Sequence, residues 1–520
     1  MLGARSRRLT IGLAVAVAAA TLVVLAGCEF YDPTPDPTPT ATATAGPAPS
    51  DLDGFYTQQL EWSSCGDGLE CATALAPIDW DAPSDGSIEL ALVRHPATGV
   101  AQGSLLLNPG GPGGSGWDYV AQSGEFVATE AVVENFDVVG WDPRGVGRST
   151  PVTCYTDSDE KDALLYGTFS AEYGTDEWLD DLTEETEDFG EACLAGTGDL
   201  LAHLDTASNA KDMDMLRAAL GDEKLNYLGY SYGTYFGTVY AELFPENVGR
   251  LVLDGALDPT LSDFESLKVQ MAGFEGAFRA YLDDCLDSGE CPFTGTLEEA
   301  LDQVDSVLAT VDDLELENTD GRILDSATMG TAIALNLYSE SYWPDMTAMF
   351  EALSDGDPSL AFQSADYYNS RNPDGTYSSN SVDVYIAATC VDGDFVEDSA
   401  STLERIAQID KAAPTIGKYL AYDDFAVLDT ACTHWPVPRA DLPTSFEAKG
   451  AAPILVIGTT NDPATPYAWA KALAKQLDSG VLVSYEGEGH TVYNQGVTCI
   501  DDVVDAYLVD GEVPSTDPEC

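Results

Sequence analysis

Four groups of residues in this chain have the types and spacing that acyl transfer requires. The first is Ser231 in G-Y-S-Y-G, Gly229 to Gly233. It follows the apolar stretch K-L-N-Y-L and precedes T-Y-F-G-T-V-Y-A-E-L-F, which has helical character. Strand, sharp turn and helix in that order present a serine hydroxyl on a nucleophile elbow, and the flanking glycines let the turn close without Cβ clashes. The rival reading is a serine that only caps a helix. The second group is N-P-G-G-P-G-G-S-G, Asn108 to Gly116, directly after S-L-L-L. Glycines at a strand's C-terminal end offer backbone N–H groups to an oxyanion, here assigned to the N–H of Gly111 and that of Tyr232. A phosphate-binding loop fits less well: no Lys-Ser/Thr follows, Pro112 interrupts the donors, and no ribose-binding acid is placed.

The third group is Asp462 in T-T-N-D-P-A-T-P, in a tight loop after the apolar run P-I-L-V-I-G. Functional groups in an α/β sheet sit at such C-terminal strand ends. Thr465, three residues on, is expected to cap the next helix. The fourth is His490 in E-G-E-G-H-T-V-Y, after V-L-V-S-Y. The chain has 4 histidines, His95, His203, His434 and His490. Of these, His490 alone completes the chain order Ser, Asp, His. The expected chemistry follows: Ser231 attacks a carbonyl, His490 takes its proton, and Asp462 orients the imidazole. No metal or organic cofactor enters it.

These residues need a sheet to carry them. Short apolar runs near Ile88, Leu106, Val138, Tyr227, Val252, Leu455 and Val483 read as buried parallel strands. Amphipathic stretches such as Asp212 to Leu220 and Tyr467 to Leu477 fall between them. Alternating strands and helices predict an α/β fold with a mostly parallel central sheet. The alternation stops between about Thr260 and Thr430, where the pattern is helical, aromatic and acidic. That stretch is expected to be a helical cap inserted before Asp462. The predicted organisation is a leader over 1–27, a tether over 28–50, core over 51–259, cap over 260–430 and core again over 431–520.

The address is written in the first residues. Arg5, Arg7 and Arg8 precede an apolar run from Leu9 to Leu25 and then L-A-G-C ending at Cys28. This resembles a bacterial lipobox, which implies cleavage before Cys28 and a lipid on its thiol. Export is expected, with the enzyme held at the outer face of the cell membrane or secreted; Arg7-Arg8 leaves the twin-arginine route open beside Sec. Residues 29–50 are rich in Pro, Thr and Ala and suit an extended tether. With 22 Lys+Arg against 89 Asp+Glu, the net charge of −67 repels nucleic acid and anionic lipid, so neither is an expected partner. Membrane contact is expected through the N-terminal lipid alone.

Besides Cys28 the chain has Cys65, Cys71, Cys154, Cys193, Cys285, Cys291, Cys390, Cys432, Cys499 and Cys520. An even set in an exported chain reads as a disulfide framework. The absence of C-x-x-C and the scarcity of His argue against zinc. Spacing does not fix the connectivity. Nearest-neighbour pairing would give Cys65–Cys71, Cys154–Cys193, Cys285–Cys291, Cys390–Cys432 and Cys499–Cys520.

N-P-G-G-P-G-G-S-G, W-D-P-R-G-V-G-R-S (Trp141 to Ser149), G-Y-S-Y-G, D-P-A-T-P and G-E-G-H together resemble the secreted tripeptidyl-aminopeptidase-like hydrolases of actinobacteria, relatives of proline iminopeptidase. The resemblance runs from about Asp51 to Cys520. It implies an α/β-hydrolase fold, the triad Ser231, Asp462 and His490, and a substrate class of short peptides trimmed from a free N-terminus. Carboxylates are then needed to bind the substrate ammonium. Asp392 and Asp394 in C-V-D-G-D-F are among many acids available, and the sequence does not choose between them. A carboxylesterase acting on short-chain esters is the second reading, and a non-catalytic surface lipoprotein the third.

Overall fold

The computed structural model describes Pro49, residues 51–167, residues 169–395 and residues 401–520. The leader, Cys28 and all of the expected tether but Pro49 lie outside the described residues.

The central apolar runs form strands that bury both faces, as β4 does throughout, whereas the runs nearer the edges are only partly covered. Among the described residues nine strands are formed: β1 (Ser63–Gly66), β2 (Leu69–Pro77), β3 (Ser87–His95), β4 (Ser104–Asn108), β5 (Asp137–Trp141), β6 (Leu225–Tyr230), β7 (Val248–Asp254), β8 (Ile454–Asn461) and β9 (Gly480–Glu488). They make one sheet in the order β1-β2-β3-β5-β4-β6-β7-β8-β9. β1, β2, β3 and β5 pair antiparallel, and β5 through β9 pair parallel. The seven runs read from sequence are β3 to β9, but the run near Ile88, expected to be parallel, pairs antiparallel with both β2 and β5 because it belongs to the N-terminal meander of the sheet. The β1–β2 hairpin lacks such a signature: β2 is the alanine-rich L-E-C-A-T-A-L-A-P, whose burial alternates because one of its faces is only half covered. Helices Thr206–Leu220 and Gly233–Leu243 pack on one face of the sheet, and Gly116–Ser123 and Thr498–Asp505 on the other. This is the α/β-hydrolase arrangement.

Between β7 and β8 the chain is helical, beginning with Asp263–Ser288 and ending with Ala426–Thr433. Ser262 and Thr296 cap the first two helices of this insertion, each through its side-chain oxygen. The helical layer also draws on a segment ahead of Ser231, which the sequence reading had grouped with the core. Helices Ser158–Tyr166 and Asp176–Thr197, between β5 and β6, pack against the insertion. Trp178 meets Tyr422 at 5.3 Å between ring centroids, Phe189 meets Trp435 at 6.4 Å, and Arg371 forks onto Asp162 at 2.7 Å. The apolar positions of Asp176–Thr197 face insertion helices, so its hydrophobic stripe is satisfied away from the sheet.

Among the described residues five disulfides are present: Cys65–Cys71, Cys154–Cys193, Cys285–Cys291, Cys390–Cys432 and Cys499–Cys520. Two of them staple the helical layer. Cys154–Cys193 and Cys390–Cys432 close chain separations of 39 and 42 residues. Loops of that size restrain the unfolded chain by about 3–4 kcal/mol each.

The turn after β5 explains W-D-P-R-G-V-G-R-S. Arg144 is buried and bidentate to Asp212, with Nε to Oδ2 at 2.8 Å and Nη2 to Oδ1 at 2.7 Å. Its remaining N–H groups donate to the carbonyls of Ile78, His203 and Pro77. Asp142 accepts the Ser115 hydroxyl and the amides of Trp117 and Arg148, tying this turn to the glycine loop after β4. A buried pair with every donor used is stable as a pair and costly to break. Replacing Arg144 by Leu should therefore lower the unfolding free energy by about 3–5 kcal/mol. Arg94→Ala, at a half-exposed pair with Glu70, should lower it by less than about 1 kcal/mol. Urea unfolding of the two variants ranks them, and equal losses would contradict this account.

Candidate active site

β6 ends in Gly229-Tyr230, and Ser231 stands on the turn that follows with φ of +52°. A serine in that region is strained and needs surroundings that hold it there. One restraint is the Ser231 amide, which donates to the main-chain oxygen of Asp254 at 2.9 Å. Another is the tight approach of the helix Gly233–Leu243: a Cβ on Gly229 would stand 2.5 Å from the oxygen of Gly233.

The glycine loop after β4 packs onto this turn. A Cβ on Gly110 would meet Tyr230 O at 2.6 Å, Ser231 Cβ at 2.9 Å and Tyr232 N at 2.9 Å, so only glycine fits. The Gly110 N–H is taken by Asn108 Oδ1 at 2.9 Å. The N–H groups of Gly111 and Tyr232 have no acceptor among the described residues.

Asp462 is buried in the loop after β8. Its Oδ1 accepts the amides of Ala464 at 2.9 Å and Thr465 at 2.8 Å, and its Oδ2 accepts the Thr465 hydroxyl at 2.9 Å. Both oxygens face His490 Nδ1, at 2.9 and 3.0 Å. Thr465 does not cap the next helix as expected: Pro466 holds that position without a side-chain bond. Its hydroxyl lies 3.2 Å from His490 Nδ1 and braces the acid–imidazole contact.

His490 follows β9. Its main-chain N–H donates to Tyr338 O at 2.9 Å, and the Tyr338 ring stands edge-on to the imidazole at 5.3 Å. Nε2 is buried with no hydrogen-bond partner. Burial pulls the imidazole pKa down, but the charge and hydrogen bond of Asp462 and the charge of Asp254 outweigh it, leaving the pKa above 6.5. No hydrogen bond joins the Ser231 hydroxyl to His490 in this structure. The two residues converge through β7: Asp254 holds the Ser231 amide, and a Cβ on Gly255 would sit 3.2 Å from His490 Cε1.

The helical insertion touches all three of these loops. Ser381 O would lie 2.4 Å from a Cβ on Gly113 in the glycine loop. Gln270 Nε2 donates to Ala464 O at 2.7 Å, and Gly273 lies against Pro463 O. Tyr338 carries the contact to His490. Two acids singled out in the sequence are already engaged. Asp392 accepts the Thr206 amide at 2.9 Å and the Tyr232 hydroxyl at 2.7 Å, and Asp394 pairs with Arg439.

A different acidic pair lies in the helical insertion, among tyrosines that reach His490. Asp423 and Asp424 occupy the π-helical turn Ala421–Phe425, a geometry that often marks functional sites. Tyr385 donates to Asp424 at 2.7 Å and Thr331 donates to Asp423. The Tyr368 ring, itself 43% exposed, meets the Tyr338 ring at 6.3 Å, joining this group to the imidazole. Burial pushes the Asp424 pKa up to about 6 and that of Asp423 to about 7. Sequence reasoning missed these residues, as it missed Asp254, because nothing local marks them. Among the described residues, no group of three His, Cys, Asp or Glu is arranged to hold a metal ion.

Comparison with known proteins agrees with this architecture. The family described as TAP-like protein matches residues 418–520. Serine protease Hip1 of Mycobacterium tuberculosis is 38% identical over 489 residues, covering 89% of this chain and 91% of that protein. Carboxylesterase B of the same organism is 38% identical over 479 residues, covering 89% and 90%. Tripeptidyl aminopeptidase of Streptomyces lividans is 29% identical over 475 residues, covering 89% and 86%. Likeness at this identity over nine-tenths of both chains extends to core and insertion alike, and the chain belongs to the tripeptidyl-aminopeptidase-like serine hydrolases of the α/β-hydrolase fold.

Proposed function

We propose that this protein is a serine exopeptidase that releases short peptides from a free N-terminus. The observation that carries the reading is the buried His490–Asp462 contact beside a serine held at positive φ. Ser231 attacks the scissile carbonyl while His490 Nε2 takes its proton; Asp462 holds the Nδ1–H tautomer and stabilises the imidazolium. The N–H groups of Gly111 and Tyr232 receive the tetrahedral oxyanion. His490 then protonates the leaving amine, and water releases the acyl group by the reverse sequence.

The helical layer, residues 260–430 together with the helices between β5 and β6, acts as the cap that restricts substrate. Asp424, with Tyr338, Tyr368 and Tyr385, is the candidate for receiving the substrate ammonium. Carboxylate and tyrosine faces both attract a cation, and the group adjoins His490. Trimming from an N-terminus is the activity named for the Streptomyces relative. A second reading, hydrolysis of short-chain esters, is favoured by the name of a relative of equal identity, carboxylesterase B. The same triad performs both.

Export and a lipid on Cys28 complete the reading. The L-A-G-C motif supports it, as do the five disulfides, which persist in oxidising compartments. Among the described residues no helix is long and apolar enough to cross a membrane.

Ser231→Ala should abolish fluorophosphonate labelling and lower kcat about 10⁶-fold; labelling that survives would exclude the assignment. Because the imidazole must be neutral to accept a proton and its pKa is raised, kcat/KM should fall on acidification with a midpoint above 6.5. Asp462→Asn should move that midpoint to lower pH and lower kcat about 10⁴-fold, as pH–rate profiles would show. Acetylating the amine of a tripeptide anilide should slow its cleavage about 30-fold or more, while leaving a short p-nitrophenyl ester unaffected. Asp424→Asn should remove the difference between free and acetylated peptide by raising KM for the free one. Equal rates on both peptides with native enzyme would favour the esterase.

A further inference from the structure

Asp254 closes β7 and touches both sides of the reaction centre. Its main-chain oxygen accepts the Ser231 amide at 2.9 Å, fixing the turn on which the nucleophile stands. Its Oδ2 accepts the amides of Val492 at 2.9 Å and Tyr493 at 2.8 Å, two and three residues beyond His490. The side chain is fully buried, and Oδ1 has no hydrogen-bond partner. A carboxylate with one oxygen doubly bonded and the other bare is poorly solvated, so any nearby positive charge acts on it strongly. The titratable groups that bear on it are His490 and Asp462 from the loops after β9 and β8, Tyr230 at the end of β6, and Tyr119 from the helix Gly116–Ser123. His490 is the one among these that can become a cation. Burial pushes the Asp254 pKa up to about 6, which leaves it mostly ionised at neutral pH.

We infer that Asp254 is a positioning residue for acyl transfer: it ties the nucleophile turn to the base loop, and its charge acts with that of Asp462 to stabilise the His490 imidazolium. The inference rests on the triad reading above. When Nε2 takes the Ser231 proton, the imidazolium lies under the influence of two carboxylates, and no proton passes to either. Asp254 touches neither substrate nor the transferred proton. Its contribution has two separable parts. The anchoring part needs only an acceptor for two amides, which an asparagine oxygen supplies. The electrostatic part needs the charge, which asparagine lacks.

Asp254→Asn separates them. With a p-nitrophenyl ester as substrate, the variant should keep its fold by melting temperature and its fluorophosphonate labelling at Ser231. Its kcat should fall about tenfold at little change in KM, and the acidic midpoint of kcat/KM should move about one unit to lower pH. A folded variant whose midpoint stays at the native value would make Asp254 an anchor only and overturn the inference. Asp254→Ser, with an oxygen but no charge, serves if the asparagine variant does not fold. Failure of both to fold would assign the residue to stability and equally overturn it. The triad reading is decided separately by Ser231→Ala: labelling that persists there removes the triad, whereas labelling lost there with an unmoved midpoint in Asp254→Asn removes this inference alone.

Discussion

A buried imidazole can hold charge only when something offsets the water its charged form has lost, and the contact of His490 with Asp462 does so here. Asp462 is itself out of solvent, so it needs donors of its own. The amides of Ala464 and Thr465 and the Thr465 hydroxyl supply them from the same tight loop. Much of the C-terminal half follows from that requirement. β8 and β9 lie side by side and in parallel, so the acid and the base emerge from neighbouring strand ends. β7 separates them from β6 and the nucleophile, which is why Asp254 and Gly255 are where the loops meet. The parallel order of the sheet thus sets Asp462 against His490 and leaves only β7 between them and the strand that ends at Ser231.

Preorganisation extends beyond the triad. The glycine loop after β4 can approach the nucleophile turn only because Gly110 lacks a Cβ, and it is held there from behind by Asp142 through Ser115 and Trp117. Asp142 shares its turn with Arg144, whose guanidinium spends all its hydrogen bonds on Asp212 and three carbonyls. In the acyl-transfer reading proposed above, donors fixed in this way would need no reorganisation when charge develops on a substrate oxygen. The W-D-P-R-G-V-G-R-S segment is therefore scaffolding for the loop rather than a reacting group.

What was legible in the sequence was what local pattern controls. Ser231 announces itself through paired glycines after a strand, and β3 to β9 through runs of Val, Ile and Leu, those of the central strands buried on both faces. β2 did not, because an alternating alanine-rich strand resembles a helix former as much as a strand. Asp392 and Asp394 were two among many acids that the sequence could not rank, and one serves Thr206 and Tyr232 and the other Arg439. Asp424 and Tyr338 show the opposite case: neither is marked in its own segment, and only the folding of one insertion brings Tyr338 to His490 and Asp424 to Tyr385. Asp254 was hidden by its strand, since R-L-V-L-D reads as a buried run and says nothing of the two amides that await its carboxylate. Thr465 was placed on the wrong duty because a threonine before a helix usually caps it. Here proline took that position and freed the hydroxyl for Asp462.

The insertion rests on the glycine loop at Gly113, on the acid loop at Ala464 and on the base through Tyr338. If the insertion is the cap proposed above, its contacts with all three loops make it a wall of the reaction chamber, not a detachable visor. Selection for a new diet must then act on the same side chains that keep the machinery aligned. Substitutions that reshape what enters will tend to alter how fast it is turned over, and specificity and rate in such a lineage should drift together.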